Sequence, residues 1–91
     1  MALELESKKQ KRLDHGAFVL INCDLGYEVE ILDNLRDMGD VVEAHGTFGA
    51  YDIVAEVAAK SHESLRQAIT WKIRKMDHVR STLTLKNINQ D

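Results

Sequence analysis

Phe48-Gly49-Ala50-Tyr51-Asp52-Ile53-Val54 is the stretch on which the fold turns. Two glycines, Gly46 and Gly49, interrupt a run that otherwise alternates like a strand, and an acid heads the next apolar run. The flanking segments, Val41 to Phe48 and Asp52 to Ala59, are too close in sequence for a crossover. The short separation predicts an antiparallel hairpin joined at Gly49-Ala50-Tyr51. In the first arm, Val42, Ala44, Gly46 and Phe48 share one face, and Val41, Glu43, His45 and Thr47 share the other. In the second, Ile53, Ala55, Val57 and Ala59 oppose Val54 and Ala58. That arm is apolar on both sides, which predicts a central position in a sheet.

Working outward, Ala17 to Cys23 is also apolar on both faces and predicts a second central strand. Between it and the hairpin, Glu28 to Met38 carries Val29, Leu32, Leu35 and Met38 at helical spacing, with Ile31 beside them and Glu28, Glu30, Asp33 and Asp37 on the wet side. Asp24 is a candidate cap, and Gly39 stands where helices commonly end. After the hairpin, Ser61 precedes a second helix. Its buried stripe is expected to be Leu65, Ile69, Ile73 and Met76, with Arg66, Gln67, Thr70 and Arg74 outward and Trp71 off the stripe. Asp77-His78 turns the chain into a last strand, Val79 to Lys86. The order β-α-β-β-α-β, with right-handed crossovers, predicts an α+β fold: a four-stranded antiparallel sheet in the order 4-1-3-2, with both helices on one face. The central strands then leave apolar residues on the helix-free face. A second copy of the chain would cover them most simply, a cofactor or partner domain being the alternative.

A chain of 91 residues with 44% apolar and 30% charged residues is one domain with a small core. The expected division is a tail over 1–15, a globular domain over 16–88 and a C-terminal tail over 89–91. The net charge is -3, and the stretch from Asp24 to Glu43 holds seven acids against one base, Arg36. Such a helix would repel a phosphate backbone. The basic run Lys8-Lys9-Gln10-Lys11-Arg12 is offset by Glu4, Glu6 and Asp14, and reads as a solvated tail. No apolar run approaches the roughly 20 residues that cross a bilayer, and no signal peptide is evident. With a single cysteine, Cys23, these features predict a cytoplasmic protein without membrane association.

Chemistry-bearing residues are sparse. His15, His45, His62 and His78 fall in different elements without metal-ligand spacing, and Cys23 lacks a local base, so neither a metal nor any other cofactor is expected. The hairpin and the last strand offer more. Gly49 can adopt φ > 0 and expose backbone N–H groups to a carboxylate. Asp52 can accept from an ammonium, and Tyr51 supplies a ring and a hydroxyl. Thr82 and Thr84 present two hydroxyls on one face, with Ser81 on the other. These groups suit a small zwitterion. They also suit a plain hairpin with strand-forming threonines, and on the residues alone both readings stand.

Ala44-His45-Gly46-Thr47-Phe48-Gly49-Ala50-Tyr51-Asp52-Ile53-Val54, followed by Val79-Arg80-Ser81-Thr82-Leu83-Thr84-Leu85, resembles the effector-binding domain of the Lrp/AsnC (leucine-responsive, feast/famine) transcription regulators. The resemblance covers about residues 16–88. It departs at Asp77-His78-Val79, where many members have Pro-Gly-Val. It implies a ferredoxin-like domain that dimerises through its sheet and assembles further into tetramers, octamers or decamers, with an amino-acid effector bound between dimers. By that likeness Gly49, Tyr51 and Asp52 lie near the effector, and Thr82 and Thr84 complete the pocket from a neighbouring chain. Only about 15 residues precede the first strand, too few for a helix-turn-helix domain. The resemblance therefore implies a non-catalytic, stand-alone effector-binding module without direct DNA contact, acting by assembly with full-length regulators. Two alternatives remain: a small enzyme on the same fold, monooxygenase-like or isomerase-like, with His45 or Cys23 in a deep pocket between sheet and helices, or an oligomerisation domain without a ligand.

Overall fold

The computed structural model describes residues 15–86, and the expectations for 1–14 and 87–91 lie outside the described residues. The elements are β1 (His15–Cys23), α1 (Glu28–Arg36), β2 (Val41–Gly46), β3 (Ile53–Ala59), α2 (His62–Gln67) with a π-helical continuation over Ala68–Ile73, and β4 (Val79–Lys86). The sheet order is β2-β3-β1-β4, every pairing is antiparallel, and read from the other edge this is the predicted 4-1-3-2. The chain has the ferredoxin-like βαββαβ topology.

Registers assign the two faces. Val19 and Ile21 of β1 stand level with Ala55 and Ile53 of β3 and with Thr84 and Thr82 of β4, all on the helix side. Ile31 and Leu35 from α1, with Leu65, Ala68, Ile69 and Ile73 from α2 and its continuation, close over Val19, Ile21, Ile53, Ala55 and Val57 to form the core. Burying each large aliphatic side chain there contributes about 1.5–3 kcal/mol. The opposite face carries Phe18 and Leu20 of β1, Val54 and Glu56 of β3, and Leu83 and Leu85 of β4. In the single chain Leu83 and Leu85 are about half exposed, at 45% and 50%.

Several elements depart from the sequence-based expectations. The second strand stops at Gly46, short of Phe48, which stands fully exposed beyond it. Within that strand, Val41 pairs with Val57 but Glu43 with Glu56, so Val42 is an extra, bulged residue. The bulge turns Val41 onto the core face with Ala44, where uniform alternation would have separated them. The first helix ends at Arg36 instead of Met38. Its last turn is closed by Asp37 N–H to the Asp33 carbonyl and Met38 N–H to the Leu35 carbonyl, so Gly39 is not needed as a left-handed cap. Asp24 does not cap α1, whose N-cap position is Tyr27 without a side-chain bond.

The second helix begins as expected, with the Ser61 hydroxyl accepting from Ser64 N–H at 3.0 Å. Its buried residues Leu65, Ile69 and Ile73 recur at every fourth position, which overshoots the 3.6-residue α turn and would carry the stripe around the axis. The π segment, with Arg74 N–H donating to the Ile69 carbonyl five residues back, widens the turn and holds the stripe on the sheet.

Asp24 is instead used across the fold. Its N–H donates to the His78 carbonyl at 2.8 Å, and the His78 ring Nδ1–H donates to its carboxylate at 3.2 Å. The same ring stacks on Tyr27, centroids 3.5 Å apart and 10° from parallel. His78 has φ 73, the left-handed region, at the position where the family resemblance places glycine. A non-glycine residue there costs about 1–2 kcal/mol, which the carboxylate and the stacked ring offset. His78→Ala, which keeps the backbone strain and loses both contacts, is expected to melt below the wild type. His78→Gly should be the more stable of the two variants by about 0.5–1 kcal/mol, its relief of strain exceeding the entropy it adds to the unfolded chain. Denaturant titrations of the two variants check the order.

Candidate functional site

Two concavities, one on each side of the sheet, hold three of the predicted site residues: Thr82 and Thr84 line one and Tyr51 the other. The first is a groove of about 550 Å³ between β4 and the second helix. One wall is the row Thr82, Thr84 and Lys86, alternate residues on the helix side of an edge strand. The other is the row His62, Arg66, Thr70 and Arg74, spaced every four residues beside the buried Leu65 and Ile69. The π turn that keeps the buried stripe on the sheet also keeps this polar row over β4. Arg66, Thr70 and Arg74, expected to face outward, therefore line a groove. The signal was present in the sequence as a second four-residue row parallel to the apolar one.

The second concavity, about 600 Å³, lies on the helix-free face and is lined by Phe18, Leu20, Thr47, Phe48, Ala50, Tyr51, Val54 and Leu85. Tyr51 thus belongs to the apolar side of the sheet, and Thr82 and Thr84 to the helix side. A single chain does not bring these predicted residues together.

Gly49 and Asp52 shape the hairpin between the strands. Gly49 has φ 112, which an L side chain rarely adopts, and an added Cβ there would meet nothing within 4 Å. The turn is closed by the Thr47 hydroxyl donating to the Tyr51 carbonyl at 2.7 Å and by Thr47 N–H donating to the Asp52 carbonyl at 2.8 Å. Asp52 N–H continues the ladder to the Ile21 carbonyl at 2.9 Å. Its carboxylate then accepts from Cys23 N–H at 2.9 Å, at the point where the β1–β4 register shifts. The side chain adds one bond to the sheet just ahead of the start of β3, so Asp52 is structural as well as a candidate ligand contact.

The remaining candidates divide the same way. Cys23 is buried, and burial first, then the nearby Asp52 and Glu28 carboxylates, push its thiol up, so it is protonated and a poor nucleophile at neutral pH. His45 sits on the helix-free face of an edge strand and donates to Glu43 at 2.9 Å. Neither residue lines either of these two concavities. His62 lies against the ring of His15, centroids 4.0 Å apart, and its Nδ1 accepts from Lys86 Nζ at 3.5 Å. The His15 ring first, then desolvation and the Lys86 ammonium, lower its pKa. His15 Nδ1 is buried without a hydrogen-bond partner among the described residues. Among those residues no three His, Cys, Asp or Glu side chains converge as a metal site. Glu56 is a further residue that pattern reading missed: it is buried on the helix-free face, 7% exposed, where alternation alone suggested an apolar surface.

The family model of the Lrp/AsnC ligand binding domain matches residues 16–90. The chain belongs to that family. It is 32% identical over 80 residues to the regulatory protein AsnC of Escherichia coli K12, covering 87% of this chain and 53% of that protein. The chain thus spans about half the length of the curated relatives it matches. Among solved structures it superimposes on FFRP-DM1 with a TM-score of 0.79 at 36% identity, covering 81% of this chain and 99% of that one. The Neisseria meningitidis transcriptional regulator NMB0573, solved as a complex with L-Met, shares the fold, with a TM-score of 0.75 at 12% identity over 99% of this chain and 60% of that one. The family is one of regulators, and among the described residues no helix is long and apolar enough to cross a membrane.

Two outcomes follow from the site geometry. Asp52→Ala leaves the part-buried Cys23 N–H without its acceptor and is expected to cost about 1 kcal/mol or more, whereas Asp52→Asn, which keeps an acceptor oxygen, should lose less. Chemical denaturation of both variants checks this. Because the folded pKa of His62 lies below its unfolded value, the unfolded state binds more protons as the pH falls through about 6.5. Stability is therefore lost on acidification, and His62→Gln should show a shallower fall in Tm between about pH 7.5 and 5.5 than the wild type.

Proposed function

We propose that the chain is a non-catalytic, cytoplasmic regulatory module. It binds a small effector, an amino acid, in the groove beside Thr82 and Thr84, and modulates transcription through assembly with full-length regulators of its family. The observation that carries this reading is the groove itself: two hydroxyls on an edge strand face a row of hydrogen-bonding side chains, in a chain that belongs to a ligand-binding domain family. The L-Met complex of a protein with the same fold supports an amino acid as the ligand class.

Gly49, Tyr51 and Asp52 enter this reading from a neighbouring copy, because in one chain Tyr51 and the threonines open to opposite sides of the sheet. Dimerisation is supported by the apolar helix-free face, where Phe18, Leu20, Val54, Leu83 and Leu85 are adjacent and the last two are about half exposed. An isologous pairing of that face buries it, and further association of dimers would bring a hairpin to a groove. An enzymatic reading has less support. The space between sheet and helices is filled by Val19, Ile21, Ile31, Leu35, Ile53, Val57 and Ile73, all fully buried.

Calorimetric titration of the purified protein with each of the twenty amino acids tests the reading. Binding of one or a few is expected, weakened roughly tenfold or more in Thr82→Val/Thr84→Val, which keeps side-chain shape and strand propensity. Absence of binding to all twenty, or binding untouched by the double substitution, would overturn it.

A further inference from the structure

The charge of the groove points to a narrower class of ligand than amino acids in general. Among its lining residues Arg66, Arg74 and Lys86 are cationic, and Glu63 is the one acid. Glu63 is already engaged: it accepts from Arg66 at 3.3 Å and from Gln67 at 3.4 Å. Among the described residues no ion pair involves Arg74 or Lys86, and the one hydrogen bond of Lys86 goes to the neutral nitrogen of His62. The groove is thus a net positive surface on a chain whose net charge is -3. Its cations stand at separate positions along it, Arg74 and Arg66 on the helix row and Lys86 on the strand row, with the threonine hydroxyls beside them.

A zwitterion with an apolar side chain brings one carboxylate and one ammonium. It would leave at least one of these cations facing an uncharged group. A ligand with two carboxylates matches the lining better: one takes a guanidinium in the forked geometry that arginine favours, and the other takes the ammonium or the second arginine. The hydroxyls of Thr82 and Thr84 can donate to either carboxylate. We propose that the groove selects a small dicarboxylate, such as an acidic amino acid or the corresponding 2-oxo acid, over neutral amino acids. This rests on the ligand-binding reading above and specifies the charge of its ligand.

The test is calorimetry on the full chain with L-glutamate, L-aspartate and 2-oxoglutarate against L-glutamine, L-leucine and inorganic phosphate. The expected result is that a dicarboxylate binds at least tenfold more tightly than its neutral counterpart, with affinity falling as salt is raised. Arg74→Gln and Lys86→Gln, both at exposed positions, should each weaken that binding roughly tenfold while leaving the far-UV circular dichroism spectrum unchanged. Glu63→Gln, which removes the one acid of the groove, should strengthen it, an effect a purely structural role would not produce. If L-glutamine or L-leucine binds as tightly as L-glutamate, the dicarboxylate proposal fails and the amino-acid-binding reading stands. Phosphate binding as tightly as the dicarboxylates would also overturn the proposal, because it would reduce the groove to a general anion site. Binding of none of the six overturns the proposal, and the twenty-amino-acid titration then decides the wider reading separately.

Discussion

The rest of the structure depends on β1 being apolar on both faces while hydrogen-bonded along both edges. A strand with Val19 and Ile21 on one side and Phe18 and Leu20 on the other has to sit centrally, between β3 and β4. One face is then closed by two helices, and the other is left apolar. Among the described residues both helices lie on one face, which leaves Leu83 and Leu85 of the other about half exposed. The fold and the proposed contact between copies have the same origin.

The site inherits its form from that arrangement. β4 is an edge strand, and its helix-side residues Thr82, Thr84 and Lys86 lie at the margin of the core, where α2 overhangs them without sealing them off. The hairpin after β2 sits at the end of β1, tied to it by the carboxylate of Asp52 on Cys23 N–H. The next residue, Asp24, holds His78 at the entry to β4. One short segment of β1 therefore fixes both the hairpin and the strand that carries the threonines. Displacing either would be felt by the other through two adjacent residues.

Much of the fold was legible because its signals are local. Alternation gave the strands and their faces, a serine marked the start of the second helix, and the shared face of Thr82 and Thr84 follows from a period of two. What escaped was set by partners distant in sequence or by departures from a regular period. Val41 turns inward because of a single bulged residue, which no periodic template contains. The lining of the groove by Arg66, Thr70 and Arg74 depends on a π turn, and the sequence recorded it only as a four-residue spacing slightly too long for an α-helix. Asp24 resembles a helix cap locally, yet its carboxylate goes to a histidine 54 residues away. Asp52 read as a free acceptor because the Cys23 amide it serves lies 29 residues earlier.

On the proposed reading the helix-free face is a contact surface between copies, and the site needs more than one chain. Sedimentation equilibrium of the wild type beside Leu83→Glu/Leu85→Glu tests it most directly. Both leucines are on that face, partly exposed in the isolated chain and remote from the core. The account predicts a dimer or larger assembly for the wild type at micromolar concentration. The double variant should be a monomer with an unchanged far-UV circular dichroism spectrum. A wild-type chain that sediments as a folded monomer, or a variant that assembles as the wild type does, would contradict it.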